Sequence, residues 1–210
     1  MFLVTGFPRS ATNYTKALLR EIGLEIRGEQ FGRIRDISKE NEPDGVVSWQ
    51  HINLFKDRFT TVLHQVRHPL KVISSSQTLL NNTFRRIFKA TGAPWSWSYQ
   101  LHLRKLALVS DEKIIYWTMR SWLRWNELIE RDQRTALRFR IENIENRWEE
   151  ISELIGVENK ETPEIRKDVN TRKSRYEKLR WDDLYAVSRK LTNEIIKKAE
   201  KYGYEIENEI

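Results

Sequence analysis

A short apolar run, Phe2–Thr5, passes directly into the segment GFPRSATN of residues 6–13, and apolar residues at helical spacing follow. A tight loop between a strand and a helix presents main-chain N–H groups and the positive end of the helix dipole. Small side chains at Ser10 and Ala11 let an anion approach the main chain, while Arg9 adds a forked donor suited to phosphate or sulfate. This order of residue types predicts an anion cradle.

Counted from Gly6, the loop has the length of the nucleotide-hydrolase P-loop, G-x-x-x-x-G-K-[ST]. Ala11 stands at the second glycine, Thr12 at the lysine, and Asn13 at the hydroxyl residue that holds magnesium. The cradle is kept, but the groups for magnesium-dependent nucleotide chemistry are replaced. The pattern therefore predicts a phosphate-bearing donor used without a metal. An ordinary strand-to-helix turn is the alternative interpretation of this segment.

A second segment, VRHPLKVISS of residues 66–75, also lies at the junction between a predicted strand and a predicted helix. Arg67 ends the β-branched run Thr60–Val66, and Ser75 comes two turns into the helix that follows. Open α/β sheets bind ligands at the carboxyl edge of their strands. Arg67 and Ser75 are therefore expected to turn toward one phosphate at that edge.

Taken together, the two segments resemble the sulfotransferase superfamily. Its 5′-phosphosulfate loop reads P-[KR]-S-G-T-T followed by an aromatic or apolar residue, and its 3′-phosphate signature reads V-R-[DN]-P-x-[DE]-x-x-x-S. The matching residues here are Pro8, Arg9, Ser10, Ala11, Thr12, Asn13 and Tyr14 in the loop, with Arg67 and Ser75 in the signature. The chain departs from the pattern at Ala11, Asn13 and Lys71. Alanine at the glycine position is a mild change where the backbone keeps a negative φ.

The resemblance implies that 3′-phosphoadenosine 5′-phosphosulfate is the donor and that a hydroxyl or amine is the acceptor, on a glycan, a metabolite or a peptide. Arg9 and the loop would stabilise the leaving phosphate, and Tyr14 would lie near the adenine. Two residues compete for the general base. His51 matches the histidine of the family's K-T-H motif, although Trp49 replaces the lysine, and Glu29 resembles the G-E element of members that use a carboxylate.

Periodicity predicts the elements that position these residues. We expect an α/β fold, a single three-layer domain over residues 1–210 with a mainly parallel central sheet. Residues 83–98 are a candidate lid or insertion, and residues 163–180 a candidate basic flap. The predicted strands are Phe2–Thr5, Val46–Trp49, Thr60–Val66 and Ala136–Ile141. The predicted helices are Thr12–Ile22, Leu70–Asn81, Lys113–Arg131, Arg147–Ile155 and Asp182–Tyr202, the last with Asp182 as its N-cap.

Composition limits the partners without choosing among them. The 210 residues carry 37 basic and 30 acidic side chains, a net charge of +7, which favours anionic partners. The basic residues are mixed with acids, which argues against a dedicated nucleic-acid tail. The chain has no cysteine, which excludes disulfides and thiolate metal sites, and no apolar run near the roughly 20 residues that span a bilayer.

The expected compartment is therefore the cytoplasm, without a membrane partner. Two other functions stay open at this point. A kinase-like P-loop enzyme would need the missing lysine and hydroxyl, and a non-catalytic basic binder of nucleotide or nucleic acid leaves the paired phosphate motifs unexplained. The sequence does not settle the acceptor or the oligomeric state.

Overall fold

The computed structural model describes residues 1–28, 42–49, 58–77, 111–158, 161–165 and 177–206. Within these ranges the chain is an α/β protein with one five-stranded, entirely parallel sheet and six α-helices. The strands are β1 (Phe2–Thr5), β2 (Ile26–Arg27), β3 (Gly45–Val47), β4 (Thr61–Val66) and β5 (Thr135–Arg140). The helices are α1 (Thr12–Glu21), α2 (Pro69–Gln77), α3 (Asp111–Glu130), α4 (Trp148–Ile155), α5 (Trp181–Val187) and α6 (Arg189–Lys201).

The predicted α/β fold with a mainly parallel sheet is confirmed. The chain divides into two compact units, residues 1–67 with 126–173, and residues 68–125 with 174–210. The single domain over the whole chain stays a prediction. Every helix in the described ranges is too short or too polar to cross a bilayer.

The first unit contains the sheet, whose strands follow the order β2-β3-β1-β4-β5. All four residues of β1 are buried, because a central parallel strand is covered on both faces. Its parallel partner β4 runs alongside it, with Thr5 opposite His64. This register brings the loop after β1 next to the end of β4, where Gln65 and Arg67 lie.

Helix α1 follows the loop and packs its apolar face on the sheet. Its buried residues are spaced three and four apart, as one helical face requires, and they are Thr12, Thr15, Leu18 and Leu19. Helix α4 supplies further core residues, including Trp148 and Ile151, and ends at Gly156 in the left-handed conformation, with φ of 77°. The predicted α4 and its glycine stop are confirmed to within one residue.

The second unit contains α2, most of α3, α5 and α6. Helix α2 begins at Pro69, whose fixed φ suits the first helical position. In the core of this unit the Trp122 and Tyr202 rings lie 6.1 Å apart. His68 packs edge-on against Trp181 and Tyr204, at ring distances of 6.1 and 5.2 Å.

One predicted helix is wrong. The segment Asp182–Tyr202 forms two helices, since Ser188 between them has an extended backbone (φ −166°, ψ 104°) and caps α6 by accepting from the Leu191 N–H. The predicted N-cap is also wrong. Helix α5 begins at Trp181, and its N-cap is Arg180. The carboxylate of Asp183, the third residue of the helix, accepts a hydrogen bond from the Arg180 N–H at 2.7 Å, so Asp182 does not act as the cap.

Candidate functional site

The loop between β1 and α1 begins with a tight turn. The Ser10 N–H donates to the Phe7 carbonyl oxygen at 3.0 Å, with Pro8 and Arg9 between them. Arg9 has a φ of 79°. Proline followed by a residue of positive φ is the geometry of a type II turn, in which glycine or asparagine usually takes the second place. Arginine takes that place here.

A second residue of the loop also has a positive φ. Ala11, the N-cap of α1, has φ of 68° and ψ of 33°. Alanine was expected to be a mild replacement for glycine only where φ is negative, and the structure does not meet that condition. Among the described non-glycine residues, only Arg9 and Ala11 have a positive φ. A left-handed conformation costs an alanine roughly 1–2 kcal/mol, so the surrounding contacts must hold the loop in this shape.

The sign of φ alternates along residues 8–12, which is typical of loops whose main-chain N–H groups form an anion-binding concavity, although the Ser10 N–H itself donates to Phe7 within the turn. The N–H groups at the start of α1 point toward the same end of the helix, where the positive end of the helix dipole lies. Inside the loop, the Ser10 hydroxyl is buried, at 1% exposure, and has no hydrogen-bond partner among the described residues. A buried hydroxyl without a partner is costly unless a ligand or water completes it. Both observations indicate an anion site.

The end of β4 holds the loop from outside. The Gln65 side-chain amide donates to the Ser10 carbonyl oxygen, and the Arg67 guanidinium donates to the Arg9 carbonyl oxygen at 3.1 Å. Gln65 and Arg67 are two residues apart, the spacing of one face of a strand. With the Phe7 carbonyl accepting from Ser10, three carbonyl oxygens of the loop are bound within the protein. The loop therefore does not present these three oxygens to an anion.

Gly6 makes this close approach feasible. A Cβ atom built on Gly6 would lie 2.2 Å from the Gln65 carbonyl oxygen and 2.6 Å from the Ser10 hydroxyl oxygen. Both distances are far below van der Waals contact, so any side chain at this position would push the loop away from β4. Glycine is required here for space and not for an unusual φ.

The structure brings the predicted loop residues and Arg67 together. Pro8 to Asn13 form the loop and the start of α1, and Tyr14 is half-buried against the core of the first unit. Ser75 is buried in α2 of the second unit. Both candidate bases, His51 and Glu29, lie outside the described residues, as do the candidate lid and residues 166–176 of the candidate flap.

Sequence reasoning missed Gln65 and Thr15. The Thr15 hydroxyl donates to the Gln65 side-chain oxygen at 2.6 Å, and both side chains are at most 1% exposed. One signal was present in the sequence, since Gln65 is a polar residue within an apolar, β-branched run. A buried amide in a central strand needs partners, and the adjacent loop provides one.

Within the described ranges, His, Asp and Glu side chains do not come together in groups of three or more that could hold a metal ion. A comparison of the chain with known protein families matches none of them, and a comparison with curated proteins finds no match either. The support for a function therefore comes from the chemistry of the loop and of Arg67.

Proposed function

We propose that this chain is a sulfotransferase that moves the sulfuryl group of 3′-phosphoadenosine 5′-phosphosulfate to a hydroxyl or amine acceptor. The observation that carries the proposal is the loop of residues 6–13, in which three carbonyl oxygens are bound within the protein and the buried Ser10 hydroxyl has no partner in the part of the chain that the structure describes. Such a loop suits an oxyanion bound through main-chain N–H groups.

The chemistry is an in-line displacement at sulfur. The acceptor oxygen or nitrogen forms a bond to sulfur while the bond from sulfur to the bridging oxygen of the 5′-phosphate breaks, and a base takes the acceptor's proton. Negative charge accumulates on the departing phosphate. In this proposal the loop N–H groups and the Arg9 guanidinium stabilise that charge. His51, slightly preferred, and Glu29 stay the two candidates for the base, and the role of Ser75 stays a prediction.

Arg67 has two roles in this proposal. One N–H of its guanidinium is used to hold the Arg9 carbonyl oxygen, which leaves further donors of the same fork for a 3′-phosphate. If both roles hold, removing Arg67 slightly weakens the binding of any ligand to the loop. It weakens a ligand that also carries a 3′-phosphate much more.

The test is calorimetry in the presence of a chelator, comparing adenosine 3′,5′-bisphosphate with adenosine 5′-monophosphate. For the bisphosphate, Arg67→Ala should weaken binding roughly 10- to 100-fold, the value of a charged hydrogen bond, and for the monophosphate by several-fold only. Arg131→Ala is the matched control, because the Arg131 side chain is 73% exposed and pairs with Glu127 on the surface of α3. It should bind both ligands as the wild type does.

Equal weakening of both ligands by Arg67→Ala would leave Arg67 as a support of the loop and would contradict a 3′-phosphate site. Failure of the wild-type protein to bind either nucleotide would contradict the proposed function as a whole. Salt-dependent binding of DNA without saturable nucleotide binding would favour the basic, non-catalytic binder instead.

A further inference from the structure

The peptide between Ser10 and Ala11 has a defined orientation. A trans peptide is planar, so its C=O and N–H groups point to opposite sides. The Ser10 carbonyl oxygen accepts from the Gln65 amide. The Ala11 N–H of the same peptide must therefore point away from the Gln65 side-chain amide.

This orientation is strained for the residue that follows. Rotating the Ser10–Ala11 peptide by half a turn would move the φ of Ala11 from 68° into the ordinary negative range, and it would exchange the N–H for a carbonyl oxygen. Alanine populates the left-handed conformation roughly tenfold less than the negative-φ conformations, whereas glycine adopts positive and negative φ about equally. An alanine loop without other support would thus populate the flipped peptide, which presents the wrong group to an anion.

The support comes from Gln65, whose side-chain amide is itself fixed. Its oxygen accepts from the Thr15 hydroxyl at 2.6 Å, so its NH₂ group faces the Ser10 carbonyl oxygen. Gln65 is 0% exposed and Thr15 is 1% exposed, so bulk water does not compete for either bond. A buried amide with both ends bound is a rigid donor.

We propose that Gln65 is a positioning residue that holds the Ser10–Ala11 peptide in its anion-binding orientation and so compensates for the alanine at position 11. The identity of the natural ligand rests on the function proposed above, but the device itself concerns any oxyanion in the loop. Thr15 acts through Gln65, by orienting the amide, and does not itself reach the loop carbonyl.

The experiment is a cycle of variants with two probes, adenosine 3′,5′-bisphosphate and inorganic pyrophosphate. Gln65→Leu should weaken the binding of both probes roughly tenfold, because loss of the hydrogen bond lets the Ser10–Ala11 peptide flip. Adding Ala11→Gly to Gln65→Leu should restore most of that loss, since glycine removes the cost of positive φ. Ala11→Gly alone should bind at least as tightly as the wild type.

Rescue by glycine separates positioning from packing. If Gln65 only filled space in the core, a change at Ala11 would not repair its loss, so weakening without rescue would overturn the inference. Undiminished binding by Gln65→Leu would overturn it as well. Should Gln65→Leu fail to fold, Thr15→Val tests the same contact and is expected to weaken binding several-fold, while Thr15→Ser keeps the hydroxyl and keeps the affinity. Equal affinities for Thr15→Val and Thr15→Ser would then refute the role of the amide.

The two probes separate this inference from the proposed function. If pyrophosphate bound with the expected loss in Gln65→Leu and rescue by Ala11→Gly, but the nucleotide did not bind, the sulfotransferase proposal would be refuted and the role of Gln65 would stand. Binding of neither probe by the wild-type protein would overturn both.

Discussion

Gly6 directly follows β1 at a point where the loop lies close to β4, and Gly6→Ala adds a single methyl group there. The new Cβ would lie 2.2 Å from the Gln65 carbonyl oxygen and 2.6 Å from the Ser10 hydroxyl oxygen, whereas ordinary contact begins near 3.4 Å. Relief requires a shift of about 1 Å in the main chain of β4 or of the loop. Because Gln65 and Ser10 are both buried, neither can simply swing into solvent.

Overpacking of this kind costs about 1–3 kcal/mol in the free energy of unfolding. For a chain of this size, each kcal/mol lowers the melting temperature by about 2–4 °C, so the expected decrease is about 2–12 °C. Thermal unfolding followed by circular dichroism measures it. The displaced loop should also bind adenosine 3′,5′-bisphosphate at least tenfold more weakly in calorimetry, since the contacts of Gln65 with the Ser10 carbonyl are lost.

Gly156→Ala is the matched control. Gly156 has φ of 77°, and a Cβ there meets no atom within 4 Å, so the substitution introduces backbone strain of about 1 kcal/mol without a clash. Gly156 also lies outside the loop of residues 6–13, at the end of α4. It should lower the melting temperature by a few degrees and leave nucleotide affinity unchanged. If Gly6→Ala melted like the wild type and retained full affinity, the close approach of the loop to β4 would be refuted.

Two further substitutions test the fold and the strain in the loop. Ala11→Gly should raise the free energy of unfolding by about 1 kcal/mol, because the strain of a positive φ that glycine removes is larger than the cost of the extra freedom that glycine gives the unfolded chain. Chemical denaturation measures this change, and a decrease would contradict the left-handed conformation at Ala11. Ile151→Ala should lower the free energy of unfolding by about 2–5 kcal/mol, because Ile151 is 1% exposed in the core of the first unit. Glu153→Ala, at an exposed position of the same helix, should change the free energy of unfolding by less than about 0.5 kcal/mol, and equal effects of the two substitutions would argue against the packing of α4.

The sheet and most helices could be predicted because their residues repeat at the period of the element. Strand β1 matches its predicted bounds, and β4 and β5 match to within one residue at either end. Strand β2 was missed, since two residues, Ile26 and Arg27, are too few to show alternation and owe their conformation to pairing with β3. The break at Ser188 was missed because the flanking residues keep helical spacing across it.

The site was predictable to the extent that it depends on residue type. Arginine, serine and small residues between a strand and a helix indicated an anion loop, and the position of Arg67 at the end of another predicted strand put it at the same edge of the sheet, where the structure brings the two together. The positive φ of Arg9 and Ala11 could not be predicted, because neither residue type favours that region. The Gln65 contact depends on the register between β1 and β4, which a single sequence does not reveal.

The claim that the loop of residues 6–13 binds the phosphate of a nucleotide donor is tested most directly by NMR of its main-chain amides during titration with adenosine 3′,5′-bisphosphate in a chelator. We predict large, saturable shifts of the Ser10, Ala11 and Thr12 amide resonances, with one shared dissociation constant. Unchanged resonances at these three positions under saturating nucleotide would contradict the account, whether or not the nucleotide bound elsewhere.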